Sequence, residues 1–130
     1  MRRLLALGAL YLAQGLPFGF FTQALPVKMR AAGVSLELIG LSSLLALPWA
    51  LKFLLAPTLD RAPSRRAWIL PLQAASALGL FALSFAPDDA WALLLAAFFV
   101  TNLLAAAQDV ATDGLAVDVL DRAQRGLGNG

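Results

Sequence analysis

Residues 90–119 read AWALLLAAFFVTNLLAAAQDVATDGLAVDV, and this stretch decides the fold. Ala90–Gln108 is 19 residues without a charge, and apolar character continues past Asp109 and Asp113 to about Val119. About 20 apolar residues, each rising 1.5 Å, cross the hydrocarbon core of a bilayer as a helix. A membrane-spanning helix carrying two acids is therefore predicted. Asn102, Asp109 and Asp113 are spaced by seven and four, which puts them on one stripe of that helix. Ionisable groups at membrane depth are costly and face a bundle interior or a water-filled cavity. The competing reading is that both acids belong to a wet helix end near the headgroups. Asp113 stands about 12 Å inside Asp121 at 1.5 Å per residue, which favours the interior.

The same pattern recurs outward from this stretch. Leu4–Val27 has no charge, Leu38–Leu59 has only Lys52, and Ala67–Pro87 has none. Four spans are predicted, near residues 4–27, 37–59, 67–86 and 90–119. Composition agrees. Of 130 residues 60% are hydrophobic and 14% charged, whereas a soluble domain carries roughly 25% charged residues. So small a soluble domain could not hide that apolar excess. A soluble enzyme, a disordered tail and a nucleic-acid-binding domain are excluded. An all-alpha membrane protein with the lipid bilayer as its first partner remains. Cysteine and histidine are absent, which removes disulfides, a cysteine nucleophile and Cys/His zinc sites. No nucleophile–base pair or metal-ligand cluster is visible, so neither an enzyme nor a cofactor or metal site is expected.

Arg2 and Arg3 before an apolar run resemble the start of a signal peptide. The run is long, contains Gln14, Pro17 and Gln23, and is followed by three more spans, so an uncleaved first helix is the preferred reading. Orientation follows the basic residues. Arg2, Arg3, Arg61, Arg65, Arg66, Arg122 and Arg125 fall on the side of the N-terminus, against Lys28 and Arg30 on the other. Both termini are expected in the cytoplasm. Lys28–Glu37 is then an outer loop, with Pro26 and Gly33 as breakers and Ser35 as a cap. The three closing glycines, Gly126, Gly128 and Gly130, read as the approach to a further helix, so residues 1–130 are expected to be a partial N-terminal bundle.

Polar residues within the spans are candidates for function. Lys52 lies eight residues before Asp60, about 12 Å from the inner boundary, and so shares its depth with Asp113. Asp109 lies about a turn deeper, and a buried Lys–Asp pair would lower the cost of both charges. The alternative is a Lys52 that snorkels to the headgroups. In the first span Gln14 is a cavity candidate, Pro17 a bend, and Gly15 with Gly19 a small-xxx-small pair for close helix approach. Pro48 is a kink candidate just before Lys52, and Trp49, Trp68 and Trp91 read as ordinary membrane aromatics. Asp60 ends a helix, where a carboxylate is unfavourable, and pairing with Arg61 or Arg65 would compensate. With Arg66, and with Arg125 after the fourth span, these residues form a candidate inner gate.

Asp60-Arg61 with Arg65-Arg66 resembles the inner-loop signature of the major facilitator superfamily. Tyr11-Leu12-Ala13-Gln14-Gly15-Leu16-Pro17 resembles the opening helix of the AmpG-like muropeptide permeases. Gln108-Asp109-Val110-Ala111-Thr112-Asp113-Gly114-Leu115-Ala116-Val117-Asp118-Val119-Leu120 resembles their fourth helix, and acetyl-coenzyme A transporters share a similar pattern there. The resemblance implies the first four spans of a longer transporter in a bacterial inner membrane, importing anhydromuropeptides with protons. It implies that Gln14, Asp109 and Asp113 serve the substrate or proton pathway, a set to which depth adds Lys52 and the stripe adds Asn102. The alternatives are a superfamily transporter of another substrate, such as a coenzyme A ester or a drug, and a small four-helix scaffold protein.

Overall fold

A computed structural model describes residues 2–59, 61, 64–87 and 89–120, without the Arg2 side chain. Among these residues four helices are long and apolar enough to cross a membrane: Arg3–Ala31, Leu36–Leu54, Arg66–Leu83 and Trp91–Val119. A short helical segment, Ala56–Leu59, follows the second. The first span runs beyond its expected end near Val27. Pro26 lies inside it rather than ending it, and α-helix continues through Pro17 to Gly19. Pro26 has no N–H and its ring crowds the carbonyl four residues back. The turn before it widens into a π-helix, Phe20–Ala24, in which the Leu25 N–H donates to the Phe20 carbonyl. The distortion expected at Pro17 is thus found one turn later.

The stop after the first span is complete in backbone terms. Val34 N–H donates to the Met29 carbonyl at 3.0 Å and Gly33 N–H to that of Arg30 at 3.1 Å. Gly33 sits at φ 74°, where a side chain would be strained. Ser35 then accepts from the Leu38 N–H at 3.3 Å and starts the second span, as expected.

The second span is broken where Pro48 predicts. It alternates α-helix (Leu36–Leu41, Leu47–Ala50) with 3₁₀ turns (Ser42–Ala46, Lys52–Leu54). Ser42 and Ser43 hydroxyls donate back to the Ile39 and Gly40 carbonyls at 2.6 and 2.7 Å, which loosens the same stretch. The fourth span is a single uninterrupted helix of 29 residues with no proline. Its small residues Ala105, Ala106, Ala111 and Ala116 are buried, so neighbouring helices approach it closely.

Each of the other three spans packs on the fourth. At one end Phe21, Leu25, Met29, Leu45 and Phe98 form an apolar cluster. At the other, Leu7, Ala116 and Leu120 form a smaller one. Between them lies a polar belt. The pairs Arg3–Val119, Tyr11–Asp113 and Gln14–Asp109 rise on the first span as they fall on the fourth, so these helices are antiparallel. Trp49–Asn102 and Lys52–Asp109 rise together, so the second and fourth are parallel. Large apolar side chains such as Leu12, Phe53, Leu70 and Phe85 stand exposed around the periphery, as lipid-facing residues do. Gly15 and Gly19 face open space, so the close approach expected of them is not made among the described residues.

Candidate functional site

The polar belt gathers five side chains from three spans. Asp109 and Asp113 are four apart on one face of the fourth helix, and Tyr11 and Gln14 are three apart on one face of the first. Antiparallel packing matches them one to one. The Tyr11 hydroxyl donates to Asp113 Oδ1 at 2.8 Å, and Gln14 Nε2 donates to Asp109 Oδ1. Lys52 approaches from the second span, where Lys52–Leu54 is a 3₁₀ turn. Its ammonium donates to Asp109 Oδ2 and lies 3.9 Å from Asp113 Oδ2.

Sequence depth sets Lys52 beside Asp113 with Asp109 a turn deeper, and the structure brings its ammonium to both acids. Asp109 is the direct partner and Asp113 the more distant one. Snorkelling is also set aside, because the Lys52 ammonium meets the acids of the fourth helix and stands 5.9 Å from the Trp49 ring centre. The two acids differ in access. The Asp109 side chain is 10% exposed and that of Asp113 is 50% exposed. One ammonium therefore faces two carboxylates, one sealed and one reachable.

Asn102 shares the stripe but not the cluster. Its Oδ1 accepts from the Trp49 indole N–H at 3.3 Å and its Nδ2 donates to the Phe98 carbonyl at 3.0 Å. At 1% exposure with both ends of its amide used, it fixes Trp49 rather than meeting Lys52. Trp49 in turn stands edge-on to Phe18 at 5.2 Å. A cleft of about 250 Å³ opens here, lined by Tyr11, Gln14, Gly15, Phe18, Trp49 and Asp109.

Of the expected inner-gate residues, Asp60 and Arg125 lie outside the described residues. Arg61 and Arg66 are exposed. Arg65 makes the contact: its Nε is 3.8 Å from Asp118 Oδ2. Its guanidinium lies against Gly114, where a Cβ would come within 2.7 Å of Cζ. Arg3 donates to the Val119 carbonyl at 3.0 Å, covering the C-terminal end of the fourth helix with a cation.

Tyr11, Trp49, Gly114 and Asp118 received no role from sequence reasoning. The available signal was helical spacing. Tyr11 lies three residues before Gln14, and Asp118 five after Asp113 near the same helix end as Arg65. Among the described residues, no group of three His, Cys, Asp or Glu is placed to hold a metal ion.

Comparison with known proteins supplies the lineage. Residues 3–93 match the family described as acetyl-coenzyme A transporter 1. That range holds Tyr11, Gln14, Trp49 and Lys52 and stops short of Asp109 and Asp113. An uncharacterized protein of Haemophilus influenzae is 40% identical over 126 residues, covering 88% of this chain and 28% of its own length. An uncharacterized membrane protein of Saccharomyces cerevisiae is 32% identical over 142 residues, covering 87% of this chain and 25% of its own. The chain thus spans about a quarter of the length of these relatives. No solved structure matches it. With some two thirds of its length in the family match and four spans of the required length and hydropathy, the chain belongs to the acetyl-coenzyme A transporter 1 family.

Proposed function

We propose that this chain forms part of a secondary active transporter that moves an anionic metabolite, a coenzyme A ester in the first instance, together with protons. The observation that carries the reading is the Lys52 ammonium held between Asp109 and Asp113. Two carboxylates against one ammonium leave one negative charge in excess within the apolar span. A low-dielectric setting makes that excess costly until a cation joins it. A proton on half-exposed Asp113 neutralises it. Asp109 then keeps Lys52, and Tyr11 keeps the Asp113 carboxyl oriented. An anion arriving near the cluster is tolerated better after that proton than before it, which couples the two.

The family description supplies the coenzyme A ester as first substrate. A muropeptide is the second reading, supported by the likeness of Tyr11–Pro17 and Gln108–Leu120 to the muropeptide permeases. The arginine distribution supports cytoplasmic termini, which in a bacterium means the inner membrane, and the bacterial relative supports a bacterial membrane. Arg65 on Gly114 and Asp118 serves as the inner latch. Gln14, Lys52, Asp109 and Asp113 form the coupling site, with Asn102 holding Trp49.

The test is uptake into proteoliposomes by the protein expressed from its complete reading frame. Labelled acetyl-coenzyme A and labelled anhydromuropeptide are offered with and without an imposed pH gradient. Gradient-dependent accumulation of the first supports the main reading, and of the second alone the alternative. Accumulation that ignores the gradient contradicts proton coupling.

A further inference from the structure

Arg3 and Arg66 open on one cleft, between the first, third and fourth spans. Its volume is about 280 Å³, and Leu7, Leu10, Leu115 and Asp118 share its lining. Arg3 begins the first span, Arg66 begins the third, and the fourth ends at Val119. The charged mouth therefore stands at the end of the bundle, at the level of the headgroups. Leu7 and Leu10 lie about 6 and 10 Å further along the first helix at 1.5 Å per residue, in the direction of the acyl chains. The cleft has the polarity order of a phospholipid, charged at the interface and apolar beneath it.

The mouth holds an excess of positive charge. Arg3 and Arg66 are both exposed. Arg3 gives one N–H to the Val119 carbonyl at 3.0 Å and keeps the others. Arg66 makes no ion pair among the described residues. The acid of the cleft, Asp118, already stands against a third guanidinium, with Arg65 Nε at 3.8 Å. Three cations thus meet one carboxylate. Arg3 and Arg66 also sit in the first turn of their helices with no acid beside them, where the helix dipole disfavours a cation. An anion between them offsets both costs. A volume of about 280 Å³ lies at the foot of the roughly 300–1,000 Å³ range of pockets that enclose a ligand, so part of a larger molecule enters and the rest stays in the bilayer.

We infer that this cleft is a docking site for an anionic phospholipid. Its phosphate bridges Arg3 and Arg66, and the start of one acyl chain lies along Leu7, Leu10 and Leu115. The lipid ties the first span to the third beside the contact of Arg65 with Asp118. The site is independent of what the protein transports.

The protein from its complete reading frame, in a zwitterionic detergent, is titrated with phosphatidylglycerol and with phosphatidylcholine of the same acyl chains. Bound lipid is counted by native mass spectrometry. One phosphatidylglycerol binds before any phosphatidylcholine. Arg66→Gln weakens it about fivefold, the share of one arginine near a lipid surface, and Arg3→Gln with Arg66→Gln brings it to the level of phosphatidylcholine. Lys28→Gln with Arg30→Gln removes the same charge at the opposite end of the first span and leaves that lipid bound. Inorganic phosphate in large excess does not displace it. Equal binding of the two lipids overturns the inference, as does a preference that survives the double variant. Displacement by inorganic phosphate also overturns it, because the cleft is then a site for a free anion. If the double variant does not fold, Arg66→Gln decides alone: unchanged phosphatidylglycerol binding overturns the inference.

Discussion

Lys52 bonds to Asp109 and stands 3.9 Å from Asp113, although Asp113 is the acid at its own depth by residue count. The deeper, sealed carboxylate thus takes the ammonium, and the more exposed one is left to Tyr11.

This arrangement predicts a marked asymmetry between single and double substitutions. Asp109→Leu removes the direct partner of Lys52, leaves the Gln14 amide nitrogen without its acceptor and should cost about 1–3 kcal/mol. Lys52→Met with Asp109→Leu should recover part of that, because the part-buried pair is then removed as a whole while Asp113 keeps its Tyr11 hydrogen bond. Thermal unfolding in one detergent measures both. A double variant no more stable than the single would show that Lys52 does not depend on Asp109.

Gly114 should change the sign of its effect with Arg65. A Cβ there displaces the guanidinium, at 2.7 Å from Cζ, and pushes it off Asp118. Gly114→Ala alone should therefore gain little or lose stability. In an Arg65→Ala background the same change should stabilise by about 0.5–1 kcal/mol, the ordinary helix preference for alanine over glycine. Equal effects in the two backgrounds would mean that Arg65 does not rest on Gly114.

Gly33 closes the first span at φ 74°, with Val34 and Gly33 N–H groups on the Met29 and Arg30 carbonyls. Gly33→Ala should cost about 1–2 kcal/mol, the strain of a left-handed residue with a Cβ. Gly33→Asn should cost less, since asparagine tolerates that region. Melting temperatures of the two variants check the order.

The four spans were legible because a charge-free apolar run of about 20 residues matches the thickness of a bilayer core and exceeds what a small soluble core can bury. Depth was legible too, since 1.5 Å per residue places Lys52 near the fourth-span acids from the sequence alone. Which acid it meets was not. That depends on helix rotation, and the 3₁₀ turns around Pro48 shift the phase of the second span by an amount that spacing does not report. Pro26 misled for a related reason: a proline marks a lost hydrogen bond, and a π-turn absorbed the loss instead of a helix end. Tyr11 and Trp49 were hidden by their apolar bodies. Their polar tips become partners only when Tyr11 and Gln14 are laid antiparallel against Asp113 and Asp109.

The central claim is that the excess carboxylate beside Lys52 takes the coupling proton. Uptake by Asp113→Asn in proteoliposomes, with and without a pH gradient, tests it most directly. The variant should still exchange labelled substrate across the membrane but lose gradient-driven accumulation, while the wild type does both. An Asp113→Asn protein that accumulates substrate under the gradient as the wild type does would contradict the claim.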